Sequence, residues 1–316
     1  MAHIGISVGT HPPLLAFEHV DFVEIKSIAV ADITRIRSYT DKPVYFHLQF
    51  SSDGRYLLPT AMDFQTFVPD FASVSGVALP KQVSLHFGLA ASSISRSGAA
   101  YYAVSEGAPL SKTAIAETLE HNLHVARNCF PRSLLLLENQ EFIPECLCRG
   151  AYRHIQETGF FTEQVTRWVG MGLLDGIVFD AAHALITAGN HPHYNGLANA
   201  GTGHLSFSDP LQTNRAYVEE LGRLPTDRLL DFYDTYIERM PLHLIREIHL
   251  SGIGRDTQGV YIDTHREIGE LELKALDRVL DAIPGTLVES VPITLEYTRN
   301  EQNIIPQLIT LKRRLG

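Results

Sequence analysis

Short apolar, β-branched runs alternate along this chain with longer stretches whose apolar positions recur every three to four residues. The runs are HIGISVG (3–9), FVEIK (22–26), VYFHLQ (44–49), VSLHFG (83–88), LLLLENQ (134–140), GIVFDAAH (176–183), REIHLSGI (246–253) and VPITLEYT (291–298). Runs of this length, largely apolar, suit parallel strands covered on both faces. The intervening segments read as helices. One opens at a capping Ser111 and stacks Ile115, Leu119 and Leu123. Another carries Ile268, Leu271, Leu276, Val279 and Leu280, and a last one opens at Asn300 and carries Ile304, Leu308, Leu311 and Leu315.

Eight strand-then-helix units in 316 residues predict an α/β fold of the (β/α)8 TIM-barrel type, whose usual length is about 250 residues. A doubly wound open sheet would place a glycine-rich phosphate loop directly after a strand, whereas GMGLLDG (170–176) precedes one. No low-complexity linker divides the chain, so one domain over 1–316 is expected. The stretch 184–244 is long for one crossover. Its first part, ITAGNHPHYNGLANAGTGHLSFSDP, is rich in Gly, Asn and His and predicts a loop or lid over the barrel mouth.

Charge and cysteine content narrow the partners. The formal charge is −10, with 36 acidic against 26 basic residues, which argues against a nucleic-acid-binding surface. The one compact basic run, Lys312-Arg313-Arg314, sits where cations suit the end of a helix. Three cysteines, Cys129, Cys146 and Cys148, make no disulfide framework, and a lone C-x-C lacks the second pair of a soft-metal site. No apolar run approaches the roughly 18 residues that span a bilayer. The chain opens on a strand with no charged-then-apolar leader. The expectation is a cytoplasmic protein without membrane partners.

Catalytic groups of a parallel barrel lie at the carboxyl ends of its strands. Here seven of the eight runs carry an ionisable residue: Glu24, His47, His86, Glu138, Asp180 with His183, His249 and Glu296. A single strand histidine such as His47 or His86 is more often a satisfied core residue than a ligand. Glu138 after four leucines, Asp180 after GIVF and Glu296 after PITL are harder to place, because a buried carboxylate costs several kcal/mol unless paired or metal-bound. With no lysine or arginine noted at a strand end, bound cations are the expected compensation. Imidazole and carboxylate without thiolate suit iron, manganese or zinc, and six to nine candidates exceed what one ion takes. His121 and His124 sit at helical spacing without the H-E-x-x-H order and read as surface residues. His191 and His193 read equally as solvent-facing or as supports of the site, with Tyr194 and His204 in the same stretch.

The order FVEI, FHLQFSS, SLHFG, LLLENQ, GIVFDAAHALITAGN, EIHLSG, YIDTH and ITLEYT resembles the multinuclear non-haem iron-dependent oxidases, over nearly the whole chain. The resemblance implies a xylose-isomerase-like barrel holding two or three iron ions, Fe(II)/Fe(III), with dioxygen as cosubstrate. The matching metal positions are His47, His86, Glu138, Asp180, His183, His249, Asp263, His265 and Glu296. Glu138, Asp180, His249, Asp263 and His265 are the expected catalytic set, with Glu138 or another carboxylate as bridge. It further implies a precursor peptide as substrate, modified at Cys or at Asp or Asn in ribosomal peptide natural-product biosynthesis, and a partner protein that presents it. The chain departs from the family pattern in three places: Asp180-Ala181-Ala182-His183 replaces an asparagine-rich run, FVEIKSIAV keeps only Glu24 of a Glu-Asn pair, and GISVGTH lacks Gly-Leu-Arg. A divalent-metal sugar isomerase or epimerase is the alternative on the same barrel. A trinuclear nuclease is disfavoured by the charge, and a non-catalytic metal-binding or peptide-presenting module is the reading from another class.

Overall fold

Along each strand of a closed barrel, successive side chains alternate between the helical shell and the interior, so a period of two decides which residues meet. The computed structural model describes residues 3–8, 14–87, 93–97, 100–104, 110–142, 158–197, 215–288, 290–297 and 300–316. Eight parallel strands close the barrel in the order β1-β12-β9-β8-β7-β4-β3-β2. They are β1 (Ile4–Val8), β2 (Phe22–Ser27), β3 (Val44–Phe50), β4 (Gln82–His86), β7 (Leu134–Glu138), β8 (Gly176–Asp180), β9 (Ile245–Leu250) and β12 (Ile293–Leu295). The hairpin β5 (Ser93–Ser97) and β6 (Ala100–Val104) follows β4, and the hairpin β10 (Gly252–Arg255) and β11 (Tyr261–Arg266) follows β9. All eight expected runs are barrel strands.

Helices α1 (Val30–Arg37), α2 (Val68–Val77), α3 (Lys112–Cys129), α4 (Thr158–Gly170), α5 (Ala181–Asn190), α6 (Pro192–Asn195), α7 (Arg215–Arg223), α8 (Leu229–Ile237), α9 (Glu270–Ala282), α10 (Gly285–Val288) and α11 (Glu301–Leu315) lie between or after the strands. Among the described residues, the first crossover departs from the expected helix and holds a 3-10 segment, Leu14–His19. Ser111 caps α3 and Asn300 caps α11, each accepting a backbone N–H at 3.1 Å. Lys312, Arg313 and Arg314 fall in the last turn of α11.

The apolar core sits between barrel and shell. Val23 and Ile25, Phe46 and Leu48, Val83 and Leu85, Leu135 and Leu137, and Ile177 and Phe179 face helix residues such as Ile33, Phe71, Leu119 and Trp168. Their alternates point inward and are largely polar: Ser7, Glu24, His47, Gln82, Ser84, His86, Glu138, Asp180, Glu247, His249 and Thr294 are all buried. The barrel interior is therefore a packed polar layer. At its base Thr294 donates to Glu247 at 2.5 Å and Gln82 donates to the other oxygen of the same carboxylate.

The segment expected as a loop over 184–244 is mostly helical where it is described, and residues 181–183, expected to extend a strand, open α5. Asp180 caps that helix, accepting from His183 N at 2.7 Å. Every residue of α5 is buried. The Gly and Asn that suggested a loop are docking residues: a Cβ on Gly189 would lie 2.5 Å from the Tyr261 ring, and Asn190 pairs with Tyr261 N and O at 3.0 and 2.7 Å. This ties β11 to the C-terminal end of α5. Residues 198–214, with His204, lie outside the described residues, as do Cys146 and Cys148.

Candidate metal centre

Strand register brings the expected residues together in pairs. His47 stands beside Ser84, His86 beside Glu138, and Asp180 beside His249. Glu138 lies at the middle of the cluster: its Oε2 is 3.4 Å from His47 Nδ1, 3.9 Å from His86 Nε2 and 3.6 Å from His249 Nδ1. The residue after it closes the strand ends. Asn139 accepts from Asp180 N at 2.8 Å and donates to Asp180 O at 3.0 Å, so the Glu-Asn pair splits its work between the site and the backbone.

Hydrogen bonds set which nitrogens are free. His47 Nδ1 lies 2.9 Å from Ser84 Oγ, and that hydroxyl donates to the Phe46 carbonyl at 3.3 Å. With its hydrogen spent there, Oγ accepts the Nδ1 proton and leaves the Nε2 lone pair of His47 open. Nε2 in turn points at His86 Nε2, 2.7 Å away, while Tyr56 holds His86 Nδ1. Burial, followed by neighbouring imidazole and Lys26 charge, holds both rings well below the usual histidine range. They are neutral near pH 7, the state that binds metal.

His249 faces carboxylates on both sides. Nε2 is 2.9 Å from Glu24 and 3.6 Å from Glu247, while Nδ1 is 3.4 Å from Glu296 and 3.6 Å from Glu138. Burial opposes its charge, but Glu24, Glu296 and Glu247 outweigh it and raise its pKa well above the ordinary value. Burial also pushes Glu138 up to about 7 and raises Asp180 and Glu247. Both Glu24 oxygens, Glu138 Oε2, Asp180 Oδ2 and both His249 nitrogens lack an aligned hydrogen bond although all are buried. Such groups cost several kcal/mol each unless a cation satisfies them.

Three groups of side chains bring one ligand atom apiece to within 4.8 Å of each other: Glu24, His47 and His249; His47, His86 and Glu138; Glu138, Asp180 and His249. They are not independent. A neutral imidazole has a single lone-pair nitrogen, so His249 serves a metal on its Glu24 side or on its Glu138 side. The latter two groups share only Glu138, whose two oxygens can bridge. The donors are nitrogen and oxygen without sulfur, a set that fits iron, manganese or zinc.

The remaining expected residues form the mouth. His265 Nε2 is 2.5 Å from Asp263 Oδ2 and 3.8 Å from Glu296 Oε2. The two side chains meet through a bulge rather than simple alternation: the β10–β11 register shifts at Gly252, leaving Thr264 and His265 unpaired in the ladder, and His265 has φ +43°, the one positive φ among described non-glycine residues. His183 joins none of the three groups but touches the central carboxylate: its Nδ1 lies 2.9 Å from the Asn139 carbonyl and 3.1 Å from Glu138 Oε1, and its Nε2 is turned to Glu141 at 3.4 Å. His191 is buried, caps α6 and packs on Phe142, and His193 contacts Arg239. His121 and His124 are exposed, His121 3.1 Å from Asp63.

One expectation fails. A strand-end lysine is present: Lys26 Nζ lies 2.6 Å from Glu296 Oε1. Lys26, Ser84 and Glu247 were all passed over in the sequence, yet each stands two positions from a residue already singled out, Glu24, His86 and His249. Alternation alone places them on the same inner face.

No family model matches the chain, and none of the curated proteins is similar to it in sequence. Solved structures resemble it in fold. The structure of AsfvAP:AG is 13% identical, with 100% of this chain and 99% of that one covered and a TM-score of 0.52. A xylose isomerase domain protein from Alicyclobacillus acidocaldarius subsp. acidocaldarius is 11% identical, with 99% and 97% covered and a TM-score of 0.50. The chain is thus a TIM barrel, similar in fold to these two structures. Among the described residues, no helix is long and apolar enough to cross a membrane.

Proposed function

We propose that the protein is a multinuclear non-haem iron oxidase that uses dioxygen to modify a side chain of a ribosomally made precursor peptide, at Cys or at Asp or Asn. The observation that carries the metal-dependent part is the pair of donor groups joined through Glu138, with unsatisfied buried oxygens and nitrogens facing one another. The choice of iron and of a peptide rests on the sequence resemblance.

In this reading His47, His86 and Glu138 hold one ion, and Glu138, Asp180 and His249 hold the other. Iron supplies the capacity to activate dioxygen and to oxidise by single electrons. The protein does the rest. Ser84 fixes the His47 tautomer, and Glu24 and Glu247 face the Nε2 side of His249 so that Nδ1 turns to the metal. Asp263 and His265 are the more exposed members of the cluster, at 19% and 29%, and meet the entering peptide. Burial would raise Asp263 and lower His265, but each outweighs that on the other, so Asp263 is lowered, His265 is raised and the pair favours a shared proton on the ring side at the mouth.

Co-expression with a short cysteine-containing reading frame beside the gene, followed by peptide mass spectrometry, tests the proposal. An iron- and oxygen-dependent mass change supports it. An unchanged peptide opposes it, as does a change that persists without oxygen. Lys26 favours a second reading, a divalent-metal sugar isomerase or epimerase, since strand-end lysine suits proton transfer beside a metal-bound sugar. Aldose–ketose interconversion under argon distinguishes it.

A further inference from the structure

The mouth of the barrel differs in electrostatics from the region around Glu138. There, carboxylate oxygens and imidazole nitrogens face one another unsatisfied. At the mouth each carboxylate has a close cation: Lys26 Nζ is 2.6 Å from Glu296 Oε1, an oxygen that lacks an aligned hydrogen bond and also lies 3.4 Å from His249 Nδ1, and His265 Nε2 is 2.5 Å from Asp263 Oδ2. Lys26 is reached through a particular arrangement of strands. It follows Glu24 by two on β2, and Glu296 follows β12, with β1 between them. The inner positions of β1 are Gly5 and Ser7, since Ile4, Ile6 and Val8 belong to the outer core. The Phe22 ring fills the space beside Gly5, while Ser7, level with Glu24, is small enough to leave a path for Lys26 to cross to Glu296.

We propose that the Lys26 ammonium stands in for a third metal ion, so that Asp263, His265 and Glu296 stay metal-free and the centre holds two ions. This deepens the metal-centre reading and rests on it. An ammonium neutralises Glu296 with one charge and no coordination sphere, and it repels a divalent ion from the same carboxylate. Burial works against the charge on Lys26, but Glu296 and then Glu24 outweigh it and hold its pKa above the ordinary lysine value. Asp263 and His265 are then left as a hydrogen-bonding pair for substrate.

The test is a count of bound metal. Wild type, Lys26→Met and Glu296→Gln are dialysed anaerobically against ferrous iron, metal per chain is measured by mass spectrometry, and folding is followed by circular dichroism. The expected counts are two for wild type, three for Lys26→Met and two for Glu296→Gln. Three in wild type overturns the inference, as does two in a folded Lys26→Met. If Lys26→Met does not fold, Glu296→Gln decides: two supports the inference, and a drop below two makes Glu296 a ligand and overturns it. None or one in wild type defeats the two-metal reading itself, and this inference with it.

Discussion

His265 Nε2 lies 2.5 Å from Asp263 Oδ2 across a bulge that holds His265 at φ +43°. An L-residue in that region costs roughly 1–2 kcal/mol, and glycine escapes most of it. The two truncations of this side chain therefore separate strain from chemistry. His265→Gly is expected to be more stable than His265→Ala by about 1 kcal/mol in denaturant unfolding, with turnover lost in both. Equal stabilities would mean that the backbone relaxes, and full activity in either would remove His265 from the reaction.

Glu138 is the group shared by both candidate metal positions. Glu138→Gln keeps its shape and removes the charge, so the barrel folds as before while metal affinity falls on the order of 100-fold or more, the upper range seen when groups merely supporting a ligand are removed. Equilibrium dialysis measures this. Two tightly held ions in the variant would show that Glu138 does not bridge.

The acid range follows from the same residue. In the metal-free protein Glu138 titrates at about 7, above its ordinary 4.5. A raised folded-state value means that its contribution to stability is full below about pH 4.5 and lost as pH rises through 7. Metal binding requires the carboxylate, so affinity is expected to climb between pH 6 and 8 with release of protons from Glu138 and from His249. His47 and His86, already neutral, release none. Calorimetry in two buffers of different ionisation enthalpy reads the protons directly, and affinity flat across that range contradicts the assignment.

Asn139 ties β7 to β8 through both backbone groups of Asp180. Asn139→Ala leaves the buried Asp180 N–H without its acceptor and removes one donor from the Asp180 carbonyl, and is expected to cost about 1–3 kcal/mol. Because Asp180 moves with that backbone, metal affinity falls as well. A loss of stability without any change in metal binding would assign Asn139 to the fold alone.

The barrel was legible because its strands are apolar on the helix side and end in polar residues, and both features have fixed spacing. Within the site, His47, His86, Glu138, Asp180 and His249 stood out because each interrupts an apolar run. Lys26 and Glu247 did not, because a charged residue two positions from another looks like the edge of a strand until alternation is applied to both. The bulge at His265 and the helix α5 were hidden for another reason. Positive φ on a histidine leaves no trace in composition, and the Gly189 and Asn190 contacts that seat α5 on Tyr261 are long-range.

The proposed oxidase requires iron in a coupled centre. Protein purified without oxygen, analysed for metal and by Mössbauer spectroscopy before and after exposure to oxygen, is expected to hold two irons per chain whose spectra change together on exposure. One zinc or manganese per chain, or iron that ignores oxygen, would contradict it.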